Sequence, residues 1–168
     1  NFSVMCNLGA KKAGGEYLLL LNDDMEVLAD CEDWLERMVG QASLRHVGAV
    51  GAKLLYPNST LIQHAGVTNT ISGPGHKLKG LDDTQSYYYG RNKLVYDMIG
   101  VTAACLLIRT KVYRALGGLY EGLRVAYNDV DLCFRLCEKG LCNVQRNDVV
   151  LYHHESLSRG DDMQDEGK

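Results

Sequence analysis

The chain has 168 residues, which is enough for one domain with a substantial core and too few for two ordinary domains. Hydrophobic residues make up 46% of the composition and charged residues 23%, as is typical of globular proteins. The net charge of −3 argues against a nucleic-acid-binding surface, and no apolar run reaches the length of a membrane-spanning helix.

Helix and strand signals alternate along the chain. In the first half we predict a helix from residue 1 or 3 to about 13, a strand over 17–21, a helix over 34–42, a strand over 47–55 and a returning strand within 61–69. Residues 72–91 lack periodicity and predict a long loop, whose tyrosines pack against the sheet, present a sugar-stacking surface or divide between these uses; packing or mixed use is favoured.

In the second half we predict strands within 95–108, a short helix over 111–116, a helix from 128 or 129 to 139, and two short strands over 143–146 and 149–152. Within the longer helix, an apolar stripe is predicted at Val130, Cys133, Phe134 and Cys137. This order of elements indicates an α/β domain.

Six cysteines are spread along the chain, and none of them forms a C-x-x-C pair, so a structural zinc site is not expected. Cys133 and Cys137 are four residues apart on a predicted helix, and we predict that they share a face and are buried as small hydrophobic groups. Reduced thiols of this kind indicate a cytoplasmic setting.

An apolar run that ends in carboxylates is the strongest chemical signal. Leu18–Leu21 predicts a strand buried on both faces, as in a parallel sheet covered by helices. Asp23, Asp24 and Glu26 follow at the end of the strand, where open α/β sheets bind ligands. Their oxygens suit Mg²⁺ or Mn²⁺ in contact with phosphate, although Asp23 or Asp24 can equally satisfy backbone N–H groups in a turn.

A second signal is the pair of aspartates in the first turn of the predicted helix at 128–139. Negative charge is favoured there, so Asp129 or Asp131 can simply cap the helix. The functional alternative is a general base that accepts a proton from an attacking hydroxyl. Asp131 and Arg135 are four residues apart and are predicted to pair, which leaves Asp129 as the freer carboxylate.

Two adjacent histidines near the end of the last predicted strand form a third signal. His153 and His154 point to opposite faces of a strand, so one of them can reach a metal ion or a diphosphate while the other cannot. Arg159 follows and can contact a phosphate through two N–H groups. A structural role is the alternative for either histidine.

In this order the segments resemble the inverting family 2 glycosyltransferases of the GT-A fold, and most of all their rhamnosyl- and galactosyl-transferase-like branch from bacterial surface polysaccharide synthesis. The resemblance covers residues 1 to about 160, and it rests on the order and spacing of motifs that are weak singly. These motifs are Ala13–Asp24, Gly100–Arg109, Gly117–Tyr120, Asn128–Leu136 and His153–Gly160. The resemblance implies a mixed sheet flanked by helices and a sugar transfer, with inversion, from a nucleotide-diphosphate sugar to an acceptor hydroxyl.

The resemblance also implies roles for individual residues. Asp24 matches the principal ligand of a divalent cation, Mn²⁺ or Mg²⁺, while Asn22 stands where the family has its first aspartate. His153 matches a late histidine that helps to bind metal or diphosphate, with His154 as the alternative. Asp129 matches the catalytic base.

Further positions are implied to contact the donor or to depart from the family pattern. The implied donor-contacting residues are Asn22, Asp23, Thr102, Ala103 and Arg159. Asn128 stands where the family usually has a glutamate. The acceptor is expected to be a glycan or a lipid-linked sugar, reached in the cytoplasm or at the inner membrane face through parts of a longer protein.

Relatives begin with a further strand region that binds the nucleotide base, and Asn7–Gly9 resembles the helix that follows it. We therefore expect an N-terminally truncated catalytic domain over residues 1–160 and a polar tail over 161–168. A sheet without its first strands exposes an edge, which predicts self-association or a covering partner.

Two other functions are compatible with the same motifs. The asparagines at 22 and 128 favour a non-catalytic module that binds a nucleotide sugar or a carbohydrate. A nucleotidyltransferase also uses an α/β sheet and a carboxylate-bound Mg²⁺, but no glycine-rich basic phosphate loop is visible in this sequence.

Overall fold

Within residues 1–154, which the computed structural model describes, the chain forms four helices and nine strands. The helices are α1 (Phe2–Lys12), α2 (Trp34–Ala42), α3 (Thr110–Ala115) and α4 (Asn128–Glu138). The strands are β1 (Tyr17–Leu21), β2 (Met25–Val27), β3 (Val47–Leu55), β4 (Ile62–His64), β5 (Val67–Thr70), β6 (Gly73–His76), β7 (Val95–Met98), β8 (Cys105–Arg109) and β9 (Cys142–His153). None of the four helices is long and apolar enough to cross a bilayer.

Helix α1 matches its predicted span because both of its ends are satisfied by side chains. The carboxamide of Asn1 accepts a hydrogen bond from the backbone N–H of Val4 at 3.3 Å. At the other end the guanidinium of Arg114, on α3, donates to the carbonyls of Ala10 and Ala13 at 3.0 and 2.7 Å. These contacts satisfy helix-end groups that would otherwise lack partners.

The main sheet is mixed, with the strand order β1-β8-β3-β9-β2 and with β4 paired to β3 and β7 to β9. Strand β8 runs antiparallel to both β1 and β3, while β3 and β9 are parallel. The prediction that Leu18–Leu21 is a fully buried parallel strand is therefore wrong. Within the described residues β1 pairs with β8 alone, and Leu21 is 45% exposed.

Strand β9 is continuous, whereas the sequence predicted two short strands over 143–146 and 149–152. Its register against β3 jumps between Ala52 and Lys53, which pair with Arg146 and Val150. The extra residues form a local irregularity of the kind found at β-bulges. Polar residues at this point interrupt the apolar pattern without interrupting the strand.

Apolar side chains cover both faces of the sheet, because alternate residues of a strand point to opposite sides. In β8, Leu106 and Ile108 pack with α4, while Cys105 and Leu107 pack with α2. The mixed sheet flanked by helices that the family resemblance implies is confirmed.

The buried apolar residues of α4 are Leu132, Cys133 and Leu136. The predicted stripe, at Val130, Cys133, Phe134 and Cys137, therefore lay about one residue away from the observed one. Phe134 is 40% exposed and Cys137 is exposed, which corrects the prediction that Cys137 shares a buried face with Cys133. Burial raises the pKa of the Cys133 thiol to about 12, as expected for a small hydrophobic group in the core.

Residues 72–91 are more ordered than the predicted loop. Gly73–His76 forms strand β6, which pairs with β5 in a separate two-stranded sheet. Tyr87 packs against Leu55 and Ile62, whereas Tyr89 is fully exposed. The tyrosines therefore divide between packing and exposure, and sugar stacking by the exposed ones stays a prediction.

Candidate active site

The predicted site segments lie at one edge of the sheet because of the strand directions. Strands β1, β3 and β9 run the same way, so their carboxyl ends share an edge with the start of the antiparallel strand β8. Helix α4 ends at Glu138, shortly before β9 begins at Cys142, and packs on β9. Helix and strand therefore run in opposite directions, which directs the start of α4 towards the edge at which β9 ends.

The acidic segment forms a turn between β1 and β2 that is tied to both of its neighbours. The backbone N–H of Asn22 donates to the carbonyl of Ala104 at 3.0 Å. Met25 pairs with His153 in the sheet, and the N–H of His154 donates to the carbonyl of Asp24 at 3.0 Å. The turn is thereby fixed between the end of β9 and the loop before β8.

His153 lies at the centre of the polar contacts at this edge. Its Nε2 is 3.1 Å from Oδ1 of Asp24 and 3.2 Å from Nδ2 of Asn22. Its Nδ1 is 2.7 Å from Oε1 of Gln63. The side chain of His153 is 8% exposed and that of Asp24 is 31% exposed, so a ligand can approach from the Asp24 side.

His154 points the other way, as the alternation of a strand requires. Its Nε2 is 2.8 Å from Oε2 of Glu26, and both side chains are substantially exposed. The structure thus brings His153, and not His154, against Asp24. Asp23 is exposed in the same turn.

Asp129 contacts the loop of small residues that precedes β8. Its Oδ2 accepts a hydrogen bond from the N–H of Ala103 at 3.0 Å, and its Oδ1 accepts one from Val130 at 2.8 Å. In the same loop, the hydroxyl of Thr102 accepts from the N–H of Ala104 at 3.3 Å. Because Ala104 also binds the backbone of Asn22, the loop links Asp129 to the acidic turn.

The start of α4 departs from an ordinary helix cap. Tyr127 precedes the helix with φ 62° and ψ 5°, a left-handed conformation that costs free energy for a residue with a Cβ atom. Asn128 is buried, and its Nδ2 has no hydrogen-bond partner among the described residues. As predicted, Asp131 pairs with Arg135, at 2.6 Å, which leaves Asp129 to face the loop.

The residues around Asp24 fit a divalent cation, although they form a small ligand set. Among residues 1–154 no group of three or more His, Cys, Asp or Glu side chains can hold a metal ion. The donors present are the Asp24 carboxylate and the His153 ring, with the Asn22 amide beside them. Oδ1 of Asp24 is buried without a hydrogen-bond partner in this part of the chain, since its 3.1 Å contact with His153 lacks hydrogen-bond geometry. Such an atom is suited to a cation.

Sequence reasoning missed Gln63, which lies 90 residues from its partner His153. The signal available in the sequence was a polar residue within the predicted returning strand at 61–69. Arg159, which was predicted to contact phosphate, lies outside the described residues.

No family model matches the chain. Two curated proteins are similar to 95% of it: the uncharacterized protein y4gI of Sinorhizobium fredii at 44% identity over 164 residues, and the O-antigen biosynthesis protein RfbC of Myxococcus xanthus at 42% over 161 residues. The chain spans 18% of the first protein and 12% of the second, so it corresponds to less than a fifth of either.

Among solved structures, the mannosyltransferase PcManGT of Pyrobaculum calidifontis, in complex with GDP-mannose and Mn²⁺, has a similar fold. The TM-score is 0.60 at 14% identity, over 90% of this chain and 35% of that protein. In sequence the chain is thus similar to a segment of an O-antigen biosynthesis protein, and in fold it is similar to a mannosyltransferase.

Proposed function

We propose that the chain is part of the catalytic domain of an inverting glycosyltransferase of the GT-A fold, in the rhamnosyltransferase-like branch of family 2. It transfers a sugar from a nucleotide-diphosphate donor to an acceptor hydroxyl in polysaccharide synthesis. The observation that carries the proposal is that the loop at 102–104 contacts both Asp129 and the acidic turn with Asp24. Similarity to an O-antigen biosynthesis protein and to the fold of a mannosyltransferase supports it.

In this mechanism Asp129 is the general base. The N–H groups of Ala103 and Val130 orient its carboxylate, while lone pairs remain to accept the proton of the acceptor hydroxyl. The acceptor oxygen then bonds to C1 of the sugar as the bond from C1 to the diphosphate oxygen breaks on the opposite face, so the configuration inverts.

Asp24 and His153 would hold a divalent cation, Mn²⁺ or Mg²⁺; the amide of Asn22 lies beside them. A cation bound there supplies positive charge that stabilises a diphosphate leaving group. Asp23, Thr102, Ala103 and Arg159 are proposed to contact the donor; Arg159 follows β9 in the sequence. His154, the alternative ligand, pairs instead with Glu26, so no role in holding the cation is proposed for it.

The chain covers less than a fifth of its curated relatives, so its acceptor and location are proposals. We propose a glycan or lipid-linked acceptor and an enzyme that works at the cytoplasmic face of the inner membrane. Because β1 has β8 as its hydrogen-bonded neighbour and its other edge lacks a strand among the described residues, we also propose self-association along that edge.

The decisive experiment replaces Asp129 by Asn in the full-length protein. We expect sugar transfer to fall by about 10²–10⁴-fold, as for loss of a general base, while thermal unfolding is little changed. Asp131→Asn, a substitution in the same helical turn, serves as the control and should retain transfer because Asp131 pairs with Arg135. Full activity of Asp129→Asn would exclude this residue as the base.

A non-catalytic nucleotide-sugar module is the second candidate, because asparagines stand at positions 22 and 128. Binding of UDP or dTDP that depends on Mn²⁺, without sugar transfer by the full-length protein, would favour this candidate. Release of free diphosphate in place of a nucleoside diphosphate would instead identify a nucleotidyltransferase.

A further inference from the structure

Gln63 is a buried polar residue whose side chain forms hydrogen bonds with both the ring and the backbone of His153. It is 2% exposed. Its Oε1 lies 2.7 Å from Nδ1 of His153, and its Nε2 donates to the carbonyl of the same residue at 3.4 Å. The second contact determines which end of the amide faces the ring, because the amide nitrogen must point to the carbonyl.

The backbone of β4 explains why this side chain reaches β9. In the pairing of β3 with β4, Leu54 faces His64 and Leu55 faces Ile62. Gln63 is therefore the extra residue of a bulge on β4, without an opposite residue in the ladder. Bulges beside functional sites redirect a side chain in this way.

The amide orientation determines where the proton of a neutral His153 ring lies. An amide oxygen can only accept, so Nδ1 must carry the proton that it donates to Gln63. Nε2 then carries a lone pair, which accepts a hydrogen bond from Nδ2 of Asn22 at 3.2 Å and lies 3.1 Å from Oδ1 of Asp24. Only an unprotonated ring nitrogen can bind a metal ion.

We propose that Gln63 is a positioning residue that holds His153 in the Nδ1–H tautomer and thereby keeps Nε2 available as a metal ligand. Without it the Nδ1–H form keeps the hydrogen bond from Nδ2 of Asn22 at 3.2 Å, and that amide can turn its oxygen towards a proton on Nε2, so the ring proton has an alternative location. A proton there would occupy the position that the cation needs. The proposed tautomer does not depend on a bound metal ion. The claim that this tautomer favours metal binding rests on the proposed function.

The test measures the tautomer directly in the metal-free chain. Long-range ¹⁵N–¹H correlation spectra of the histidine rings, recorded on the alkaline side of the imidazole titration, distinguish protonated Nδ1 from protonated Nε2. We expect the Nδ1–H form in the unmodified protein and in Gln63→Glu, which keeps an acceptor. Gln63→Met has a similar volume but no comparable acceptor, and we expect it to shift His153 towards the Nε2–H form.

Gln145→Met is the matched control. Gln145 is also fully buried and bonds to Asn147 at 3.2 Å, but the structure gives it no hydrogen bond to His153. This variant should leave the tautomer of His153 unchanged. A tautomer that is the same in Gln63→Met as in the unmodified protein would overturn the proposal, as would an Nε2–H ring before any substitution.

Mn²⁺ binding, followed by electron paramagnetic resonance, gives the second readout. We expect Gln63→Met to weaken Mn²⁺ binding by about 10–100-fold, as is typical for loss of a group that orients a metal ligand. If Mn²⁺ does not bind the unmodified chain, the metal part of the proposed function fails, while the tautomer result still tests the role of Gln63. If Gln63→Met does not fold, an Nε2–H ring in Gln63→Glu overturns the proposal.

Discussion

His153 and His154 are adjacent residues of one type in very different surroundings. His153 contacts Asp24, Asn22 and Gln63 in a nearly closed space, whereas His154 pairs with Glu26 at the surface. A strand reverses the direction of the side chain at each residue, so a single position separates a candidate ligand from a surface ion pair.

The neutral amide of Asn22 keeps the negative charge of the candidate metal site low. Asn22→Asp places a second carboxylate beside Asp24 and His153. We expect Mn²⁺ to bind about tenfold more tightly, because the ligand charge increases, and the metal-free protein to unfold at a lower temperature, because two like charges are close. Thermal unfolding measured with and without Mn²⁺ checks both effects, and weaker binding by Asn22→Asp would contradict the site.

Tyr127 adopts a left-handed conformation with φ 62° directly before α4. That conformation costs roughly 1–2 kcal/mol for a residue with a Cβ atom, and glycine avoids this cost. Glycine also loses more conformational entropy on folding, which offsets about 0.5–1 kcal/mol of the gain. We therefore expect Tyr127→Gly to raise the free energy of unfolding by about 0.5–1 kcal/mol in urea titrations. Tyr127→Ala keeps the Cβ atom and should give no such gain.

At the scale of elements, a buried charge network fastens the segment after β6 to strand β3. The ammonium group of Lys53, 1% exposed, donates to Asp83 and to the carbonyl of Asn92, both at 2.8 Å. Asn92 and Lys93 also donate to Asp83, at 3.0 and 2.9 Å. Several charged and polar groups thus share one carboxylate, and the segment cannot leave β3 without breaking all of these contacts.

The two central partners of this network should differ in their effect on stability. Asp83→Leu leaves the buried ammonium of Lys53 without a counter-charge, and we expect a loss of about 3–5 kcal/mol in the free energy of unfolding. Lys53→Met removes the buried ammonium and leaves Asp83 paired with Lys93, so we expect a clearly smaller loss. Urea unfolding of both variants measures the difference, and equal losses would contradict this account.

The same network predicts how stability depends on pH. Burial by itself would raise the pKa of Asp83, but hydrogen bonds from Lys53, Lys93 and Asn92 outweigh burial and lower it below 3.8. A carboxyl whose pKa is lower in the folded state contributes stability that is present above its unfolded pKa and is lost as the pH falls through the folded pKa.

We therefore expect the free energy of unfolding to decrease below about pH 4, and to decrease less steeply in Asp83→Asn. Urea titrations over a series of acidic pH values test this expectation. The same slope in both proteins would show that other carboxylates account for the acid sensitivity. Asp148 is one such group, because its pKa is also lowered: hydrogen bonding and charge from Arg146 outweigh the effect of burial.

At the scale of the whole molecule, the edge of β1 is the surface most relevant to assembly. Leu21 is 45% exposed at the end of this strand. If copies of the chain pair along the edge, Leu21→Lys should shift the protein towards the monomer, because a lysine on an edge strand opposes strand pairing. Sedimentation velocity over a range of concentrations measures the change, and a monomer at every concentration before substitution would exclude self-association.

Much of the fold follows from local sequence patterns. The spans of α1, β1, α2, β3 and α4 agree with the predictions to within a few residues, because capping groups, glycines and apolar periodicity act over one or two turns. Two errors, the parallel setting of β1 and the division of β9, concern the pairing of strands. Pairing depends on residues far apart in the chain, so local patterns do not specify it.

The sequence by itself determined the chemical groups of the candidate site and the ends of the elements that carry them: carboxylates after β1, an aspartate at the start of α4 and a histidine at the end of β9. Only the tertiary structure decided which of the two histidines meets Asp24, that the loop at 102–104 contacts both Asp129 and the acidic turn, and that a glutamine 90 residues away orients the ring of His153. The physical reason is that side-chain type and helical or strand period are encoded locally. The contacts between these groups arise only when strand direction, register and a bulge bring distant segments to one edge of the sheet.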